Sequence, residues 1–174
     1  AALIKAKRVS RMICSYPRTA NSTVFPELYH SGEIHLELVP QGTLAERIRA
    51  GGSGIPAFYT PTANGTPLAE DKECRSFNNR DYVLEYGLTA DFALIKGLSA
   101  DQHGNVVYNK TARNFAPIMA MAGKITIVQA QHVVDLGELN PETIITPGIF
   151  VQRVVEIVEP AIESVLVAAG ETYP

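Results

Sequence analysis

Hydrophobic and polar residues alternate along "EIHLELV" (33–39): Ile34, Leu36 and Leu38 share one side, His35 and Glu37 the other. A two-residue period of this kind predicts a strand with one wetter face. "RMICSY" (11–16) reads as a buried strand, and "DFALIKG" (91–97), "GNVVYN" (104–109), "KITIVQA" (124–130) and "IFVQRVVEIV" (149–158) as further strands. "ECRSF" and "DYVLEY" (73–77, 81–86) flank "NNR" and predict a hairpin. Between the strands the period lengthens. "NSTVFPELYHSG" (21–32) reads as a short helix stopped by Gly32. "TLAERIRA" (43–50) is a second helix, with Thr43 and Glu46 at capping-box spacing and Gly51-Gly52 as its stop. "KTARNFAPIMAMAG" (110–123) is a third, bent by Pro117; "PETI" (141–144) opens one turn, and "PAIESVLVAAG" (160–170) is a weak helix. Strands alternating with helices predict a single α/β layered domain over 1–174 with a mostly parallel sheet.

One stretch fits neither period. "GGSGIPAFYTPTANGT" (51–66) sets Phe58 and Tyr59 among glycines and prolines, and reads as a specialised loop. It follows a predicted helix and carries Pro56, so "GSGIPA" (52–57) is not a dinucleotide fingerprint. "GGSGI" lacks the final glycine of a nucleophile elbow, and no Walker-type phosphate loop is present. His30, Glu33 and His35 straddle a helix end and a strand, and read as surface residues rather than a metal cluster. "DQHGN" (101–105) is a turn. No self-contained catalytic set emerges, which points to a binding half whose reactive group comes from elsewhere.

Composition narrows the picture. With 174 residues, 46% hydrophobic and 19% charged, the chain is globular and can bury a core. A net charge of −3 without a basic block argues against nucleic acid as a partner. No apolar run reaches the length of a membrane span, and the front lacks a secretory signal. Cys14 and Cys74 have no metal spacing and read as buried free thiols of a cytoplasmic protein. "AALIKAKR" looks like the end of a helix whose beginning is missing, so a truncated front is expected.

"PQGTLAERIRAGGSGIPAFYTPT" (40–62) resembles the first of the two subunit types of the family I CoA-transferases, and "GEIHLELVPQGTLAERIRAGG", "DFALIKG", "KTARNFAPIMAMA" and "ITPGIFVQRVV" extend the resemblance over nearly the whole chain. "RMICSYPR" (11–18) looks closest to the members that use 3-oxoadipate. Two departures stand out. The family's early "GGF" segment is absent, and Ala63 and Asn64 occupy positions where relatives carry glycine and an aromatic or aliphatic residue.

The resemblance implies transfer of CoA from succinyl-CoA to a 3-oxo acid, with 3-oxoadipate preferred and acetoacetate second. It implies a glutamate nucleophile in a separate, second CoA-transferase subunit, ping-pong turnover through a glutamyl-CoA thioester, and a heterodimer or heterotetramer. No catalytic residue, metal or cofactor is expected in this chain, the CoA thioester being a substrate. Gln41, at the end of a strand and the start of a helix, is expected to bind substrate through its amide. Gly51, Gly52 and Gly54 would let backbone approach the thioester and the partner subunit, and Phe58 and Tyr59 would wall a dry acyl pocket. Arg18 would clamp the second carboxylate of 3-oxoadipate, with a plain surface arginine as the alternative. Lys110, Arg113 and Asn114 form one polar face that supports the site, supports a subunit contact or is simply solvated. A non-catalytic sensor of acyl-CoA or sugar phosphates on a related fold is the competing reading.

Overall fold

The computed structural model describes residues 2–17 and 23–159. The predicted helix over 160–170 and Arg18 lie outside the described residues. Four α-helices are present among them: α1 (Ala2–Lys5), α2 (Val24–His30), α3 (Gln41–Gly52) and α4 (Ala116–Ala122). The nine strands are β1 (Arg11–Cys14), β2 (His35–Leu38), β3 (Ala57–Thr60), β4 (Cys74–Phe77), β5 (Arg80–Tyr86), β6 (Ala90–Asp101), β7 (Val106–Val107), β8 (Gly123–Val134) and β9 (Arg153–Glu156).

The strands form three sheets. β1 and β2 pair in parallel, and β6, β8 and β9 pair in parallel with β7 antiparallel on the outer edge of β6. This is the expected α/β architecture. A three-stranded antiparallel sheet, ordered β3-β5-β4, is added to it. β4 and β5 form the predicted hairpin. Asn78 and Asn79 turn it with φ of +50° and +59°, the left-handed pair that a two-residue hairpin loop favours.

A buried hydrophobic cluster lies between one face of the β6–β8 sheet and α4. Ile95, Val128 and Ala130 meet Ala116 and Ala120 there, with Val106 and Tyr108 beside them. Ala116 and Ala120 are four residues apart and share a helix face, and their small side chains let α4 lie close on the strands. The buried Tyr108 hydroxyl and Thr146 Oγ1 share a 2.6 Å hydrogen bond. The opposite sheet face carries Phe92 and Leu94, in register with Ile125 and Ile127, and the first two are largely exposed.

Several local expectations change. The helix over 110–123 is two pieces, a 3-10 turn at Lys110–Arg113 and then α4, with the break at Asn114. Pro117 sits in the first turn of α4, where its missing N–H costs nothing, and so does not bend the helix. Leu38 is exposed and Val39 is buried, because the chain leaves β2 at that point. Cys74 is exposed and Cys14 only half-buried, so neither is a buried thiol. "DQHGN" is the turn expected of it. The Asp101 carboxylate accepts from the His103 and Asn105 N–H groups and from Asn105 Nδ2.

Candidate functional site

β2 delivers the chain to Pro40, and α3 begins at Gln41. A helix leaves its first backbone N–H groups without intrahelical partners. Here no side chain caps them and no acidic residue sits in the first turn. Gln41 and Gly42 are exposed, and the space where a Gly42 side chain would stand is open. The Gln41 amide makes no hydrogen bond with another described residue. Free backbone donors, the positive end of the helix dipole and a neutral amide therefore meet at one point. That combination suits a carboxylate or an oxyanion.

Thr43 lies just behind. It is 5% exposed, and its Oγ1 has no hydrogen-bond partner among the described residues. The expected capping box does not form. The helix starts two residues earlier, which turns Thr43 inward, and Glu46 instead accepts from Arg49 at 2.9 Å.

A buried ionic network anchors this helix. Arg47 Nη1 donates to Glu37 at 2.6 Å, its Nε donates to the Tyr86 carbonyl at 2.9 Å, and Glu85 lies 3.9 Å away. Lys72 reaches Glu85 at 2.7 Å, and Arg11 pairs with the other oxygen of Glu37. Burial works against ionisation of Glu37, but the Arg47 and Arg11 guanidiniums outweigh it and hold the carboxyl below its usual range. The network lines a cavity of about 170 Å³ that also touches Asp71, Glu73, Leu84 and Tyr86. Sequence reasoning missed it. One usable signal was Glu85, which falls two residues after Val83 and so shares its inward face.

The remaining predicted residues are dispersed. Gly51 and Gly52 are the last residues of α3, at the far end from Gln41, roughly 16 Å away by helical rise. Their contacts are internal. A Cβ on Gly51 would stand 2.3 Å from the Leu88 carbonyl oxygen, and one on Gly52 would stand 2.7 Å from Met121 Cβ. Gly54 has φ +73° with open space before it.

Phe58 and Tyr59 are not in a loop, since β3 runs through them. Consecutive strand residues point to opposite faces. Phe58 lies across from Glu85, on the face that meets α3. Tyr59 lies across from Leu84 and packs edge-on against Phe77 at 5.2 Å, with the Arg75 guanidinium over its ring and its hydroxyl donating to Glu73. That hydrogen bond, followed by burial, raises the Tyr59 pKa. The two aromatics thus do not wall one pocket together.

Among the described residues, no group of three or more His, Cys, Asp or Glu is placed to hold a metal ion, and no helix is long and apolar enough to cross a membrane. His30 instead bonds the Pro26 carbonyl at 2.7 Å, and Glu33 pairs with Lys7 at 2.7 Å.

The chain is 59% identical over 165 residues to the first ("A") component of 3-oxoadipate CoA-transferase from Pseudomonas putida, covering 95% of this chain and 71% of that protein. The component of the same name from Acinetobacter baylyi is 57% identical, over 90% of this chain and 69% of its own length. The corresponding component of a probable succinyl-CoA:3-ketoacid coenzyme A transferase from Bacillus subtilis is 56% identical, over 88% and 63%. Among solved structures, glutaconate coenzyme A-transferase from Acidaminococcus fermentans superposes with a TM-score of 0.77 at 21% identity, covering 88% of this chain and 57% of that one. An acyl-CoA transferase from Escherichia coli O157:H7, in a thioester complex with CoA, gives 0.76 at 21%, over 86% and 34%. These two likenesses speak to the fold. The family model described as Coenzyme A transferase matches residues 1–157, and with relatives above half identity beside it, the chain belongs to the coenzyme A transferase family.

Proposed function

We propose that this chain is one half of a two-component transferase that moves CoA from succinyl-CoA to a 3-oxo acid, with 3-oxoadipate the preferred acceptor. The observation that carries the reading is the uncapped start of α3, where Gln41 and free backbone donors face solvent. The names of relatives more than half identical supply the reaction class.

The chemistry then divides between two chains. In the partner subunit, the carboxylate of a glutamate attacks the thioester, displacing CoA thiolate and forming an acyl-glutamyl anhydride. The thiolate attacks the glutamyl carbonyl, releasing succinate and leaving a glutamyl-CoA thioester. The 3-oxo acid repeats the exchange in reverse, which gives ping-pong turnover. Each attack places negative charge on a carbonyl oxygen, and donors fixed in advance stabilise it without adding a competing charge. Gln41 and the first N–H groups of α3 meet that need. Gly51 and Gly52 serve the site indirectly, by letting α3 lie flush against Leu88 and α4. The assembly is a cytoplasmic heterodimer or heterotetramer.

The test is a coupled assay with the partner subunit co-expressed, supplied with succinyl-CoA and either 3-oxoadipate or acetoacetate. Turnover only with both chains present is expected, and it should be faster with 3-oxoadipate. Gln41→Ala should lower kcat by about 10- to 1,000-fold while leaving the complex assembled. A stable complex of the full-length chains without turnover refutes the reading and favours a sensor.

A further inference from the structure

β1 and β2 run in parallel with Cys14 opposite Leu38, and the ladder continues one step further, where the Val39 N–H donates to the Cys14 carbonyl at 3.0 Å. Both chains then leave the sheet at the same end, about 5 Å apart. Tyr16 comes two residues after Cys14, and Gln41 two residues after Val39. Each lies just beyond the C-terminal end of its strand, the edge at which open α/β sheets take their ligands. The pairing of β1 with β2 therefore sets Tyr16 beside the start of α3.

The other described tyrosines are engaged within the chain. Tyr29, Tyr59 and Tyr82 each lie against another aromatic ring, and the Tyr108 hydroxyl bonds Thr146. Tyr86 is held through its carbonyl by Arg47, midway along α3. The Tyr16 ring is 73% exposed, and neither ring nor hydroxyl is paired with another described residue. A tyrosine offers an apolar body and a polar tip, which suits a site that becomes enclosed only when a ligand or partner arrives.

A 3-oxo acid presents two acceptors separated by one methylene, its carboxylate and its C3 carbonyl. The Gln41 amide and the first N–H groups of α3 suit the charged one. The C3 oxygen is neutral, and a neutral hydroxyl donor suits it. We infer that Tyr16 is a specificity-determining residue, its hydroxyl donating to the 3-oxo carbonyl of the acceptor acid; the inference rests on the transferase reading above. A site built to hydrogen-bond a substrate group disfavours the analogue that lacks it, because the site's own polar group is then left unpaired. Succinate is such an analogue, having a carboxylate and no 3-oxo group.

Steady-state kinetics of the full-length chain with its partner subunit co-expressed tests this with three acids: 3-oxoadipate and acetoacetate as acceptors, and labelled succinate exchanging into succinyl-CoA. Tyr16→Phe keeps the ring and removes the hydroxyl. It should lower kcat/KM for both 3-oxo acids by about 5- to 100-fold and leave succinate exchange unchanged. Unchanged rates with the 3-oxo acids overturn the assignment. An equal loss for all three acids also overturns it, since Tyr16 would then only support the structure. A loss confined to 3-oxoadipate does so too, by giving the hydroxyl to the second carboxylate. Succinate exchange by the wild-type pair judges the transferase reading separately, because it needs no 3-oxo group: its absence would sink that reading, whereas its presence beside unchanged 3-oxo acid rates would sink only the role of Tyr16.

Discussion

Arg47 holds Glu37 at 2.6 Å with one nitrogen and the Tyr86 carbonyl at 2.9 Å with another, so a single α3 guanidinium fastens β2 to the end of β5. Removing it takes a cationic partner from each of two carboxylates. Glu85 keeps Lys72 and Glu37 keeps Arg11, but both lose their most buried partner. Arg47→Ala should cost about 3 kcal/mol of stability, and Arg47→Lys should recover only part of it, since an ammonium has no planar fork to span both acceptors. Urea midpoints measure both. A cost near zero for Arg47→Ala would show that the network adds nothing.

Gly51 offers a test of opposite sign to ordinary helix rules. Gly→Ala inside a helix normally stabilises by about 1 kcal/mol. Here the added methyl would meet the Leu88 carbonyl oxygen at 2.3 Å, which is backbone and cannot swing aside. Gly51→Ala should therefore destabilise by about 1–3 kcal/mol and lower the melting temperature. A stabilised variant would show that α3 does not seat against Leu88.

Ala63 holds φ +69°, a conformation that costs an alanine about 1 kcal/mol and a glycine almost nothing. The turn is pinned by Thr66, whose N–H and hydroxyl both donate to the Ala63 carbonyl. Ala63→Gly should raise stability by about 0.5–1 kcal/mol, the gain from relieved strain exceeding the added unfolded-chain entropy. Chemical denaturation of the two proteins decides it, and a loss of stability would refute the strain.

Acid should weaken the fold in a defined direction. Glu37 is held below its ordinary carboxyl range in the folded chain, as is Asp101, whose hydrogen bonds from Asn105 and His103 outweigh its burial. A depressed folded value means that unfolding takes up protons. The stabilisation is complete above the unfolded value, about 4, and is lost as pH falls through the folded value. Urea midpoints should fall with pH below about 4. Glu37→Gln should flatten that slope, and an unchanged slope would place the pH dependence elsewhere.

The legible parts of this fold were those where period and chemistry agree. β1, β2, the Asn78-Asn79 hairpin and the long β6 and β8 strands each carry a local pattern that tertiary contacts then reinforce. "GGSGIPAFYTPTANGT" was harder, because glycine has two meanings. As a breaker it ends helices, but Gly51 and Gly52 stay inside α3 because two neighbouring elements press on them. That also hid β3, which begins only five residues past the end of α3. The position of Gln41, where a strand gives way to a helix, was readable from the pattern on either side of it. The Arg47 network was not, since its partners come together from β2, α3, β5 and the segment before β4. The twist of the Asn114 backbone had no signature beyond the asparagine itself.

The parallel pairing of β6 with β8, and of β8 with β9, also governs how the molecule is made. The short β6–β7 hairpin touches only the edge, and no hairpin can seed the β6–β8–β9 part of that sheet, because each of those pairs joins residues far apart in sequence and loop closure must precede any gain from contact. The β4–β5 hairpin closes through two asparagines and can form on the microsecond scale, but it buries little. Folding therefore begins quickly at the rim and slowly at the centre. Meanwhile β6 and β8 wait as apolar, unpaired segments open to wrong partners. Yield on refolding should depend more on chain concentration than on final stability.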